Sequence, residues 1–139
     1  MNVIVIGGGE VGSSLASLLR ASNHRVTIVE IQPDEIARLQ RTGASESVLC
    51  GNGTDPAVLE AAGIRQAHVV AAVTGKDETN LVVTSLARFE FNVPRTIARV
   101  HQPTHAWMFT PAMGVDVALN QADLLAHLIA EEMSGRRTL

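Results

Sequence analysis

The stretch MNVIVIGGGEVGSSLASLL, residues 1–19, decides the fold. Asn2-Val3-Ile4-Val5-Ile6 reads as a buried strand, and Val11, Leu15, Leu18 and Leu19 recur at the spacing of one helix face over 10–22. Between them Gly7, Gly9 and Gly12 stand at G-x-G-x-x-G spacing. That spacing is a weak signal alone, but here it leaves a strand and opens a helix, the context a dinucleotide site requires. Gly7 permits a tight turn, Gly9 lets the backbone approach a pyrophosphate, and Gly12 lets the helix pack closely on the sheet. Free N–H groups and the dipole at the helix start favour the anion. A glycine-rich turn without a ligand fits the same letters.

Strand and helix patterns alternate through the rest of the chain. RVTIV at 25–29 is a strand, and Pro33 opens a helix running through Ala37 and Leu39 toward Gly43. SVLC at 47–50 is a short strand, and TDPAVLEAAG is a capped helix ending at Gly63. HVVAAV at 68–73 is the most central-looking strand, apolar on both faces. Asp77 is expected to cap a helix carrying Leu81, Val82, Leu86 and Phe89. RTIARV at 95–100 is a fifth strand, 104–113 reads as helical, VDVAL at 115–119 is a sixth strand, and 121–133 is a last helix. The expected fold class is therefore α/β, a doubly wound Rossmann-like parallel sheet of six strands in the order 3-2-1-4-5-6. Ligand is expected at the carboxyl ends of the strands, near the switch in strand order. The expected domain spans residues 1–134, with 135–139 a disordered tail.

Bulk properties narrow the function classes. The 139 residues suit one hydrophobic core, and 46% of them are hydrophobic. Only 18% are charged, which suggests apolar surface covered by a partner. A net charge of -3 argues against nucleic-acid binding, which needs a dense basic face. Cys50 is the single cysteine, so a disulfide framework is impossible and a reducing cytosol is the simplest home. The start lacks the basic region of a signal peptide, and no run approaches the roughly 18 apolar residues of a membrane helix. A cytoplasmic protein without direct membrane insertion is expected, with contact to a membrane partner left open.

Several residues at strand ends are candidates for ligand contact. Glu30 lies 18 positions beyond Gly12, where a carboxylate accepts hydrogen bonds from both ribose hydroxyls and repels a 2′-phosphate. NAD(H) or plain adenosine nucleotides are thus favoured over NADP(H), although a solvated glutamate fits the position too. Gly51-Asn52-Gly53-Thr54 leaves room for an adenine that Asn52 could bond, or is a simple turn with Thr54 or Asp55 as helix cap. Thr74-Gly75 should run past ribose and phosphates, and Asn80 faces either the cleft or solvent. Arg99 interrupts an apolar strand and needs a partner, either a ligand phosphate or a neighbouring carboxylate. His101 and His105 are four apart, but Pro103 separates them and no cluster completes a metal site. Trp107, Met108, Phe109 and Met113 read as a packing surface. Leu124, Leu125, Leu128, Ile129 and Met133 form a stripe that either closes the core or docks on another subunit.

GGGEVG, Glu30, GNGTDPAVLEAAGI, AAVTGKDETNLVVTSLAR, VPRTIARV and GVDVALNQADLLAHLIAEEM together resemble the nucleotide-binding domain of RCK (KTN) proteins over residues 1–134. These are the cytoplasmic regulatory subunits of Trk and Ktr potassium uptake systems. The resemblance implies a Rossmann-like domain that binds NAD(H) or the adenine nucleotides AMP, ADP or ATP, gates a membrane potassium-translocating subunit, and catalyses no turnover. By matching position, Gly7, Gly8, Gly9, Glu10 and Val11 would form the phosphate loop and Glu30 would bind ribose. Asn52 and Gly53 would lie by the adenine, Thr74 and Gly75 along the ligand, and Arg99 on a phosphate, in its own or a neighbouring subunit's site. Many relatives carry aspartate at the place of Asn52, and an N-P-x-x-like segment where this chain has Gln102-Pro103-Thr104-His105. Such subunits usually continue into a second ligand-sensing domain, so the sequence reads as a short single-domain member or a piece of a longer chain. A homodimer or higher homo-oligomer is expected.

Two other readings stand beside this one. A small NAD-dependent oxidoreductase, or its cofactor-binding fragment, would need an acid or base. His68 and His101 are the candidates near strand ends, and neither shows an orienting partner in the sequence. A nucleotide-free scaffold that keeps the fold is the other.

Overall fold

The computed structural model describes residues 1–41 and 47–135. Six strands form a single parallel sheet: β1 (Asn2–Ile6), β2 (Arg25–Glu30), β3 (Val48–Cys50), β4 (Val69–Ala72), β5 (Arg95–Val100) and β6 (Val117–Asn120). Their order is β3-β2-β1-β4-β5-β6, the order expected. β1 sits at its centre, with Val3 in register with Val26 of β2 and with Val69 of β4.

The two-residue period of β1 divides its apolar side chains between the faces. Val3 and Val5 point toward α1 (Glu10–Ala21) and α2 (Pro33–Arg41), where they pack with Ala16, Ile28 and Leu39. Ile4 and Ile6 join Leu59 of α3 (Pro56–Ala61) and Val83 of α4 (Asp77–Ser85) on the opposite face. A third cluster, Leu81, Ala98, Val100, Phe109 and Val115, fills the space beside β5. Continuous apolar strands are what a sheet covered on both faces requires.

Three expectations change. Residues 104–113 are not one helix: two 3-10 segments, Pro103–Met108 and Pro111–Met113, occupy them. Pro111 has no N–H to donate and holds Thr110 extended at φ -123, ψ 163, so the helical turn cannot propagate. Phe109 is buried there as expected of a packing residue, whereas Trp107 and Met113 face solvent. The sixth strand begins at Val117 rather than 115, because Val115 turns inward to the third cluster and Asp116 bonds Thr96. After Ser85, α4 continues as a π turn over Leu86–Glu90, and Val82 and Phe89 are exposed.

The last helix, α5 (Gln121–Met133), forms as expected but buries none of its residues. Of the two roles left open for its stripe, closing this core is therefore excluded. The end of the second helix at Gly43 lies outside the described residues.

Candidate functional site

Strand order reverses between β1 and β4, and the loops leaving their carboxyl ends diverge there. The gap is a cleft of about 520 Å³. Gly7, Gly9 and Val11 form its floor, Glu30 and Gln32 one wall, Asn52 and Gly53 an end, and Thr74, Gly75, Lys76 and Arg99 the other wall. Nine of the twelve residues that the glycine motif and the family resemblance assign to the ligand thus meet at one place. Gly8, Glu10 and Gly12 do not line it, and Ile31, Gln32, Glu35, Lys76 and Thr79 line it without having been singled out.

The glycines earn their places by different contacts. Gly7 takes φ +108, which an L side chain rarely adopts, and a Cβ there would lie 3.1 Å from the Thr74 nitrogen. A Cβ on Gly12 would lie 1.8 Å from the Gly7 carbonyl oxygen, so Gly12 packs against the loop itself. Around Gly9, the N-cap of α1, the nearest atom to such a Cβ is a Glu35 oxygen at 3.8 Å, and around Gly75 nothing lies within 4 Å. Those two positions are open toward the cleft.

Glu30 is 7% exposed. Its carboxylate accepts hydrogen bonds from the backbone N–H groups of Gly8 (2.6 Å), Ile31 (2.9 Å) and Gln32 (2.9 Å). A carboxylate has about four acceptor sites, so one remains free, which corrects the expectation that it serves both ribose hydroxyls while these bonds stand. Arg38 braces the same corner, donating to the Gly8 carbonyl at 2.6 Å and pairing with Glu35 at 2.9 Å. Asn52 makes the turn that was one of its two expected roles: its amide oxygen accepts from Thr54 N and Oγ1, and the residue also lines the cleft. Asp55 caps α3.

Arg99 has no carboxylate partner among the described residues. Its Nη1 lies 3.4 Å from the Val73 carbonyl, and its buried Nε has no hydrogen-bond partner. With Lys76 it makes one wall cationic, facing Glu30 and Glu35 on the other. Such a cleft suits a molecule with hydroxyls at one end and phosphate at the other.

Two residues of the first turn of α4 take roles other than those expected. Asp77 is not the cap: Lys76 holds that position. The Asp77 carboxylate is buried and reaches across to accept from His101 N (2.6 Å), Gln102 N (2.9 Å) and His105 Nδ1 (2.8 Å). Burial pushes its pKa up, but these bonds and the charge on His105 outweigh that, leaving it below the usual 3.8. Asn80 faces neither cleft nor solvent; it is fully buried and bonded to Thr74 and Arg99. Partners 24 to 28 residues away decide the role of Asp77, and Asn80 joins Thr74, six residues before it, to Arg99, 19 residues after it, so spacing within the helix carries no sign of either.

No histidine lines the cleft. His68 sits at the opposite, amino edge of the sheet, accepting the Asn2 N–H at 2.9 Å. His105 has an orienting partner in Asp77 but stands outside the cleft. No group of three or more metal-ligating side chains occurs among the described residues.

The TrkA-N domain model matches residues 3–121. The Trk system potassium uptake protein TrkA of Mycobacterium tuberculosis is 37% identical over 134 residues, 96% of this chain and 60% of that protein. A TrkA homolog from Methanothermobacter thermautotrophicus is 41% identical over 116 residues, 84% of this chain and 52% of that one. The chain thus spans only about 50–60% of these relatives. Among solved structures, the TrkA-N domain of inner membrane protein ybaL from Escherichia coli superposes with a TM-score of 0.82 at 20% identity, covering 95% of this chain and 96% of that one. The GsuK channel bound to NAD gives 0.77 at 21%, covering 89% and 22%, and the AMP-bound Shewanella denitrificans Kef CTD gives 0.76 at 21%, covering 96% and 80%. At such identities the structures speak to the fold. The sequence relatives and the family model, matching across the glycine loop, the cleft and the sheet, decide the rest: the chain belongs to the TrkA-N domain family.

Proposed function

We propose that this chain is the nucleotide-sensing module of a cytoplasmic regulatory subunit for potassium uptake, binding NAD(H) or an adenine nucleotide and gating a membrane potassium-translocating partner without turnover. The observation that carries the reading is the cleft, with a glycine floor, an acidic wall at Glu30 and a cationic wall at Lys76 and Arg99. Gly9 and Gly75 leave its floor and wall open to a pyrophosphate, Glu30 offers its free acceptor site to a ribose hydroxyl, and Arg99 on the cationic wall offers its guanidinium to a phosphate. A 2′-phosphate would meet the Glu30 carboxylate, which disfavours NADP(H). Structural neighbours carrying NAD and AMP in this fold support the ligand class. Residues 1–134 act as one ligand-binding domain in this scheme.

Gating follows if nucleotides differ in affinity between two arrangements of paired domains. The exposed apolar face of α5, with Leu125 and Leu128 about half exposed, supports pairing with a second copy. Light scattering on the purified chain tests that point, since a monomer at high concentration with every nucleotide removes the mechanical link.

Thermal unfolding against NAD, NADH, NADPH, AMP, ADP and ATP tests the core of the proposal. A ligand at about a hundred times its Kd adds roughly 2.7 kcal/mol. Stabilisation by NAD(H) or adenine nucleotides but not NADPH is expected. No shift with any of them overturns the reading, and substrate-dependent NADH oxidation would replace it with an oxidoreductase.

A further inference from the structure

We infer that Asn80 is the positioning residue of the cleft: without touching the nucleotide, it locks Thr74 and Arg99 at the separation that ligand binding needs. The inference rests on reading the cleft as a nucleotide site. Paired register between β4 and β5 ends at Ala72 and Ala98. Just beyond it, Val73, Thr74 and Arg99 line one wall of the cleft. Asn80 ties Thr74 to Arg99 from the first turn of α4, fully buried and not itself part of the lining.

Its amide makes four hydrogen bonds. Oδ1 accepts from the Thr74 backbone N–H at 3.0 Å and from the Thr74 hydroxyl at 2.7 Å. Nδ2 donates to the Thr74 carbonyl at 3.0 Å and to the Arg99 carbonyl at 2.9 Å. The backbone N–H can only donate and the two carbonyls can only accept, so the amide has one workable orientation and every site it offers is used. Aspartate, of the same shape, has no N–H to give either carbonyl. Glutamine, a methylene longer, carries its amide past the four partners that the asparagine reaches. One turn earlier, the Asp77 carboxylate accepts the N–H groups of His101 and Gln102, so the start of α4 sets the backbone from Arg99 to Gln102.

A buried asparagine can also merely support the fold, and the experiment separates the two roles. Affinities of the intact chain and its variants for NAD, ADP and AMP are measured by calorimetry at 10 °C, with folding verified by circular dichroism. Asn80→Ala is compared with Thr96→Val, which removes an equally buried hydroxyl contact, to the Gly114 carbonyl, at the amino end of β5 away from the cleft. Both should lower Tm, but Asn80→Ala should weaken binding tenfold or more while Thr96→Val stays within twofold. Asn80→Ser, smaller but polar, replaces the alanine variant should that one not fold, with the same expectation. Asn80 variants that bind within twofold of the parent overturn the inference alone, as does equal weakening by Thr96→Val. A parent chain that binds none of the three nucleotides overturns the underlying reading, and the inference with it.

Discussion

Replacing Glu30 with glutamine should expose how much the cleft depends on one buried carboxylate. The carboxylate accepts three backbone N–H groups: Gly8 on Oε1, and Ile31 and Gln32 on Oε2. An amide has only one acceptor oxygen. The better orientation keeps that oxygen on Ile31 and Gln32 and turns an –NH₂ toward the Gly8 N–H, now 2.6 Å from an acceptor. One charge-assisted bond, about 1.5–3 kcal/mol, is lost, and the two survivors weaken because the charge is gone. A total near 3 kcal/mol follows, which for a domain of this length lowers Tm by roughly 10 °C. Thermal melts followed by circular dichroism measure it. The same change removes the negative charge a 2′-phosphate would meet, so preference for NAD over NADPH should shrink about tenfold, a difference of about 1.4 kcal/mol. A melt within about 3 °C of the parent would refute the stabilising role of the three bonds. An unchanged NAD-to-NADPH ratio would refute the charge argument independently.

Three further outcomes are expected. Gly12→Ala puts a carbon 1.8 Å from the Gly7 oxygen and should cost at least about 3 kcal/mol or prevent folding, whereas Gly75→Ala, with nothing within 4 Å, should change stability by under about 0.5 kcal/mol; parallel urea titrations compare them. Arg99→Met removes a guanidinium whose Nε is buried without a partner, so stability should hold or rise by up to about 1 kcal/mol while AMP and ADP bind about tenfold more weakly, as read by calorimetry. Asp77 titrates below its usual value, so its contribution is present at any pH above about 4 and is lost as pH falls through the lowered folded-state value. Asp77→Asn should therefore be less stable than the parent at neutral pH and lose less on acidification from pH 5 to 3, and equal acid slopes for the two proteins would contradict the assignment.

How far the site was legible depended on the range of each residue's partners. Gly12 was readable because the atoms that exclude a side chain there, on Gly7 and Val5, lie within the same strand-turn-helix unit, and Gly7 because the tight turn itself demands its positive φ. Glu30 and Arg99 were readable because a charge at the end of an apolar strand needs a reason. Asp77 and Asn80 were not, because polar residues in the first turn of a helix are ordinary and look like caps or solvent-facing groups. Their partners, His101 and Arg99, come from the next strand. The apolar spacing of 104–113 suits a helix, but Pro111 splits that stretch into two 3-10 segments. The stripe on α5 shows the opposite limit, for an amphipathic pattern says a face wants cover but not what covers it.

Local order was written in the sequence itself: six apolar strand runs, the helices between them, the glycine turn after β1, and a strand order that parallel crossovers permit in few ways. These follow from side-chain periodicity and backbone sterics, which act over a few residues. Tertiary structure alone decided that Glu30 is mostly occupied by backbone N–H groups, that Arg99 meets no carboxylate among the described residues, and that Asn80 bridges two segments where their ladder ends. It also decided that α5 lies off the core. Those outcomes depend on which groups the fold brings within 3 Å of each other. Hydrogen bonding at that distance is blind to separation along the chain.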